Sequence, residues 1–254
     1  MSSVTSPSSV KFSVNKADNG AAISTAATSG NKYDVTLADR TLYKDGAWNT
    51  LCLPFDVTVA GSPLAGADVR ALSTASLEND VLTLNFTEEG DVTELTAGTP
   101  YIIKWVTGAN LSAPVFNGVT ISSDKNDFTS SDGKVQFLGT YTSRTFDTDV
   151  QSILFMGDGN TLYYPQSGAT IGAQRAYFQL SDGANVKEFV LNFGDGIATE
   201  IQTLDNGSFS NQYDAGAWYD LSGRQIVHST GSAQVPRTLP TGIYIHNGKK
   251  VIIK

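Results

Sequence analysis

The sequence predicts an all-β protein: an antiparallel, sandwich-like body followed by a small C-terminal β domain. Three observations carry this. Short runs rich in β-branched and aromatic residues recur, as at Val81–Phe86, Pro100 to Trp105, Lys134 to Leu138 and Glu188 to Phe193. Clusters of Gly, Asn, Asp, Ser and Pro separate the runs, which is the punctuation of turns between strands. Only one stretch, Ala21 to Ala27, offers a helix, through its alanines. Many short strands with such spacing belong to sandwiches and barrels.

The chain has 254 residues, more than the roughly 100–200 of one domain. One large β domain with an appendage fits. Residues 1–31 read as an N-terminal linker or the tail of a preceding unit. Met1 to Val10 is rich in Ser and lacks the charged and apolar regions of a signal peptide. Residues 32–195 form the expected sandwich-like body. Residues 196–215, rich in Gly, Asn, Ser and Asp, read as a linker. Residues 216–254 form the small β domain. There Asn247-Gly248 is a hairpin signal, because both residues tolerate positive φ in a type I′ turn. Ser222-Gly223 is expected to turn the hairpin before it. Alternation puts Ile243 and Ile245 on one face of their strand, with Tyr244 and His246 on the other.

Two resemblances follow from blocks of residues. Tyr219-Asp220-Leu221-Ser222-Gly223-Arg224, then Leu239-Pro240-Thr241-Gly242-Ile243-Tyr244-Ile245, then Asn247 to Lys254 resemble the type A C-terminal sorting domain of secreted Bacteroidota proteins. Thr41-Leu42-Tyr43-Lys44-Asp45-Gly46-Ala47-Trp48-Asn49-Thr50-Leu51-Cys52-Leu53-Pro54-Phe55 resembles a block of a β-rich module in Bacteroidota surface proteins. Five further blocks follow in order, from Leu64 to Val69, Ala97 to Trp105, Asn160 to Pro165, Arg175 to Leu180 and Phe189 to Asp195. The resemblances imply export to the cell surface or the medium, with the secretion machinery engaging the C-terminal domain. They imply no activity for the body. An export signal is then expected upstream of Met1, with this chain a fragment of a longer polypeptide.

Composition narrows the partners. The net charge of −8 at pH 7 repels phosphate backbones, so nucleic acid is not an expected partner. No run of ~18 apolar residues exists to span a bilayer as a helix. The single cysteine, Cys52, lies in an apolar run and reads as a buried core residue rather than a nucleophile.

Catalytic chemistry finds no foothold. A serine triad needs a base beside its nucleophile, and the two histidines, His228 and His246, both fall in the C-terminal domain. Two histidines and one distant cysteine show no zinc spacing. Glu78, Glu88, Glu89, Glu94 and Glu188 could supply the carboxylate pair of a glycosidase only if folding brought two together. Asp124, Asn126, Asp127 and Asp132, and separately Asp158 with Asn160, offer oxygens of the kind calcium takes. Their spacing is not that of a regular calcium loop, and Asx residues favour turns on their own account. No metal or cofactor is expected.

Sugar binding is the positive expectation. Sugars present apolar C–H faces to flat aromatic rings, while polar side chains hold the hydroxyls. Alternation in Arg175–Leu180 puts Ala176, Phe178 and Leu180 on one face and Arg175, Tyr177 and Gln179 on the other. Leu162 and Tyr164 share a face and leave Tyr163 opposite. Tyr163, Arg175, Tyr177 and Gln179 would form a ligand platform if the two strands are neighbours. Trp48, grouped with Thr50 and Cys52, and Trp105, grouped with Tyr101 and Ile103, read as core. Trp218 reads as packing inside the C-terminal domain. The expected function is a non-catalytic extracellular binding or adhesion module whose partner is a glycan or another cell-surface molecule, with glycan the favoured ligand. A structural spacer and a carbohydrate-active enzyme are the alternatives.

Overall fold

The computed structural model describes residues 7–13, 19–148, 150–157, 160–181, 184 and 186–194. It also describes the strand backbones at 202–203, 218–219, 225–227, 242–246 and 249–253. The protein is all-β: strands dominate, and the described residues hold one α-helix, Asn19–Ser29. It divides into two compact units, Met1–Asn206 and Gly207–Lys254.

The larger unit is built on two packed sheets. The first has the spatial order Gln202–Thr203, Glu188–Asn192, Val81–Phe86, Asp68–Glu78, Pro100–Lys104, Asn49–Cys52. The second runs Phe128–Thr129, Val135–Thr140, Arg175–Leu180, Ile153–Met156, Leu162–Tyr163. Their facing side chains make one core. Leu72, Leu82, Leu84, Phe86 and Ile102 come from the first sheet; Val135, Phe137, Leu154, Phe178 and Leu180 come from the second. Phe86 meets Phe137 edge-on across the core, with ring centroids 6.5 Å apart. This is the sandwich that the alternating runs predict.

Alternation sets the burial of Val81–Phe86, and a bulge resets it along Asp68–Glu78. In Val81–Phe86 every second residue, Leu82, Leu84 and Phe86, is buried. Along Asp68–Glu78 the inward parity changes. Leu72 pairs with Phe86 and Thr74 with Asn85, so Ser73 is an extra residue in the ladder. Before it Leu72 faces the sandwich core; after it Ala75 and Leu77 do. A one-residue bulge switches which side chains turn inward.

The first sheet carries a second core on its other face. Leu51, Val69, Tyr101, Ile103 and Trp105 pack there against Phe12, Ile23, Val35, Leu37 and Phe116. Those partners come from a three-stranded sheet, Ser8–Ser13, Lys32–Ala38 and Val115–Thr120, and from the helix Asn19–Ser29. Pro100–Lys104 is therefore buried on both faces, with Ile102 in one core and its neighbours Tyr101 and Ile103 in the other.

Ser8–Ser13 and Asn19–Ser29 thus add structure to the body rather than lying apart from it as linker or tail. Ser8–Ser13 runs parallel to Lys32–Ala38. Parallel neighbours need a crossover, which the helix provides. The expected helix at Ala21 to Ala27 lies inside it. Glu188–Asn192 is likewise parallel to Val81–Phe86, so the body is not wholly antiparallel. That strand reaches its neighbour from a distant part of the chain, and no hairpin sets its direction.

The smaller unit is a four-stranded antiparallel sheet ordered Gln225–Val227, Trp218–Tyr219, Gly242–His246, Lys249–Ile253. Its register pairs His246 with Lys249, leaving two residues between the strands. The turn conformations at Asn247-Gly248 and Ser222-Gly223, the faces of Ile243 to His246, and the settings of Trp218 and His228 lie outside the described residues. Most of the expected linker does too, although Gln202–Thr203 pairs with Glu188–Asn192.

Candidate functional site

The face expected to bind ligand is the outer face of the second sheet. Alternation assigns its side chains correctly. Ala176, Phe178, Leu180 and Leu162 join the sandwich core, and Tyr164 packs against it. The outer face, however, is mostly covered. Chain crossing it through Arg144–Thr145 and Thr170–Ile171, which pair with one another, lays Phe146 and Ile171 on Ile153, Phe155 and Tyr177. Tyr177 is only 9% exposed, so its ring cannot serve as a stacking surface. Gln179 is spent on structure, donating from Nε2 to Ser152 O at 2.9 Å and to Leu180 O at 3.1 Å.

The two strands are not neighbours either. Ile153–Met156 lies between Arg175–Leu180 and Leu162–Tyr163. Phe155 pairs with Tyr163, and their rings meet edge-on at 5.8 Å. The four-residue platform therefore does not form. Tyr163 and Arg175 survive from it. Both line a cavity of about 380 Å³ with Thr50, Phe155, Met156, Thr170, Ile171, Gly172 and Ala176. Tyr163 is 38% exposed. Its ring, backed by Phe155, is the aromatic surface the cavity offers.

The cavity sits beside a seam between the two sheets. Ala176 N–H donates to Thr50 Oγ1 at 3.2 Å, and Cys52 N–H donates to Gln174 O at 3.4 Å. Gln174 takes a φ of 54° and donates its own N–H to Thr140 O at 2.7 Å. This turn delivers Arg175 to the cavity wall. Burial lowers the Arg175 guanidinium below its ordinary pKa, against the raising effects of Tyr163 and then Tyr43.

Arg40 is the residue that sequence reasoning missed. Asp39, at φ 60°, ends the Lys32–Ala38 strand and turns the next side chain inward. Arg40 is 1% exposed. Its Nη2 donates to Thr50 O at 2.7 Å, while Nε and Nη1 meet no acceptor. Its pKa is pushed well down, first by burial and then by the positive charge of Arg175. Nothing in the sequence marks it, because an arginine after a strand reads as a surface charge. Tyr43, 50% exposed, belongs to the same neighbourhood. Asn49 holds its loop, accepting from Tyr43 N–H at 3.1 Å and donating to Tyr43 O at 3.0 Å.

The remaining expectations fall on structural roles. Trp48 and Trp105 are buried, at 6% and 4%. Trp105 shares a core with Tyr101 and Ile103, as alternation requires. Trp48 parts from Cys52: it faces the sandwich core, while Cys52 belongs to the other. Lys104 Nζ lies 4.4 Å from the Trp48 ring. Asp127 Oδ1 accepts from Gly139 N–H at 2.7 Å. Asn126 Nδ2 donates to Ala97 O at 2.7 Å, and Asp132 Oδ1 accepts from Ser130 Oγ at 2.6 Å. Asn160 Oδ1 accepts from Trp48 N–H at 3.0 Å. These side chains organise turns and tie loops together. Among the described residues no three His, Cys, Asp or Glu are grouped to hold a metal ion.

Comparison with family models, curated proteins and solved structures finds no match.

Proposed function

We propose that the protein is a non-catalytic binding module of a secreted or surface protein, with a glycan as its ligand. The observation that carries this reading is Tyr163, an exposed ring at a cavity whose wall includes Thr50, Thr170 and Arg175. An aromatic plane beside hydroxyl and guanidinium groups suits the mixed apolar and polar surface of a sugar. Glycoside hydrolysis asks for a carboxylate pair, and the described residues lining the cavity include no Asp or Glu. The non-catalytic reading is favoured on that ground.

Affinity electrophoresis against plant, host and microbial polysaccharides tests the proposal. Retardation of the intact protein, lost in Tyr163→Ala with an unchanged melting temperature, is the expected result. Free migration through every polysaccharide overturns it and leaves a structural spacer as the better reading.

Export through the C-terminal unit is part of the same proposal. Its support is the blocks at Tyr219 to Arg224 and Leu239 to Ile245, together with the compact antiparallel sheet they contribute to. A reporter fused to residues 216–254 should reach the surface of a Bacteroidota host. Retention of the fusion in the periplasm counts against it.

A further inference from the structure

We infer that Arg175 at the cavity wall, reinforced by the buried cation Arg40 held on Thr50, is a site for a single carboxylate, so that the glycan bound at Tyr163 carries an acidic sugar. This rests on the glycan reading and adds the class of sugar to it.

The argument begins with charge. An arginine keeps its proton in a protein, so Arg40 is a cation at 1% exposure. A buried cation is ordinarily paired, because its desolvation is otherwise uncompensated. Arg40 is not. Two of its three guanidinium nitrogens meet no acceptor. The side chains that shift it are Arg175 and Tyr43, and no carboxylate is among them. The ion pairs among the described residues use Arg70, Lys104, Lys134 and Lys187. Arg175 takes part in none.

Two cations held about Thr50 repel one another, and an anion bound at Arg175 relieves both. Thr50 joins the two halves of the site. Its carbonyl holds Arg40, its hydroxyl holds the strand that follows Arg175, and it lines the cavity. A carboxylate suits the planar guanidinium fork. The net charge of −8 works against polyanions at long range and far less against one acidic group at contact. The two arginines would therefore select a uronic acid within an otherwise neutral glycan surface.

Two measurements on the intact protein test this. In the first, melting temperature is followed with galacturonate, galactose and chloride at matched ionic strength. Galacturonate alone should raise it, and Arg175→Gln should abolish the rise. An equal response to galacturonate and chloride overturns the inference. In the second, affinity for oligogalacturonides is compared with that for their methyl esters. The acid form should bind about tenfold tighter, the worth of a charge-assisted hydrogen-bond pair. Arg175→Gln should erase that preference while keeping affinity for the ester. Equal affinity for acid and ester overturns the carboxylate site and leaves the glycan reading intact. Binding of monomeric galacturonate without any polysaccharide would do the reverse. Arg40→Met separates ligand binding from support of the fold: it should melt no lower than wild type yet lose the acid preference. Strong destabilisation of Arg40→Met together with an unaltered acid preference in Arg175→Gln refutes the proposal.

Discussion

Gly139 and Cys52 compete for the same space: a Cβ at Gly139 would fall on the Cys52 sulfur. The Val135–Thr140 strand passes this close to Asn49–Cys52 only because position 139 has no side chain. Gly139→Ala is expected to lower stability by about 1–3 kcal/mol through overpacking. Cys52→Ala removes the sulfur, so the double variant should lose less than the sum of the two singles. Urea denaturation of all three measures that coupling, and additive losses would refute the contact.

The same thiol makes stability fall in alkali. Burial pushes Cys52 up to about 12, whereas an unfolded thiol ionises near ~8.5. Above that pH the unfolded chain holds fewer protons than the native one, so unfolding gains as pH rises toward 12. Tyr141 acts in the same sense. Burial raises its phenol, which donates to Asp124 O at 2.9 Å. Denaturation midpoints should decline from about pH 8.5 upward, and less steeply in Cys52→Ala. The native thiol should also resist thiol reagents that modify the urea-unfolded chain. An identical pH slope in wild type and variant would contradict the assignment.

A buried ion pair separates costly from cheap substitutions. Arg70 grips Asp68 with Nε at 3.0 Å and Nη2 at 2.9 Å. Their side chains are 3% and 9% exposed. Asp68→Ala leaves a buried guanidinium uncompensated and should cost about 3–5 kcal/mol. Glu89 also reaches Arg70, but at 3.9 Å and with an 80% exposed side chain. Glu89→Ala should change stability by less than about 0.5 kcal/mol. Thermal denaturation decides between them, and similar losses would mean the two contacts do not differ as their burial indicates.

Tyr163 and Tyr177 point to the same side of one sheet and should answer substitution differently. Tyr163→Ala should weaken glycan retention about fivefold or more, with little effect on melting. Tyr177→Ala opens the cluster around Phe146 and Phe155 and should cost about 3 kcal/mol. A Tyr177→Ala protein that melts normally but loses ligand would reverse the roles given to the two rings.

Local pattern carried the strand faces well. Ala176, Phe178 and Leu180 lie in the core as alternation requires, and so does Leu162. It failed where a neighbour distant in sequence intervenes. Ser73 shifts the inward parity of its strand. Ile153–Met156 separates Tyr163 from Arg175. Phe146 and Ile171 cover Tyr177. None of these has a local signature, since each depends on which segment arrives from elsewhere.

The sequence by itself determined an all-β chain, its core aromatics and a small β unit at its C-terminal end. Those features follow from side-chain period and turn chemistry, which act over a few residues. Tertiary structure alone decided that a strand and a helix before Lys32 complete the body, that Tyr163 stays open while Tyr177 closes, and that Arg40 is buried beside Arg175. Burial and charge proximity are properties of three-dimensional neighbourhood, and the segments that create this one lie more than a hundred residues apart along the chain.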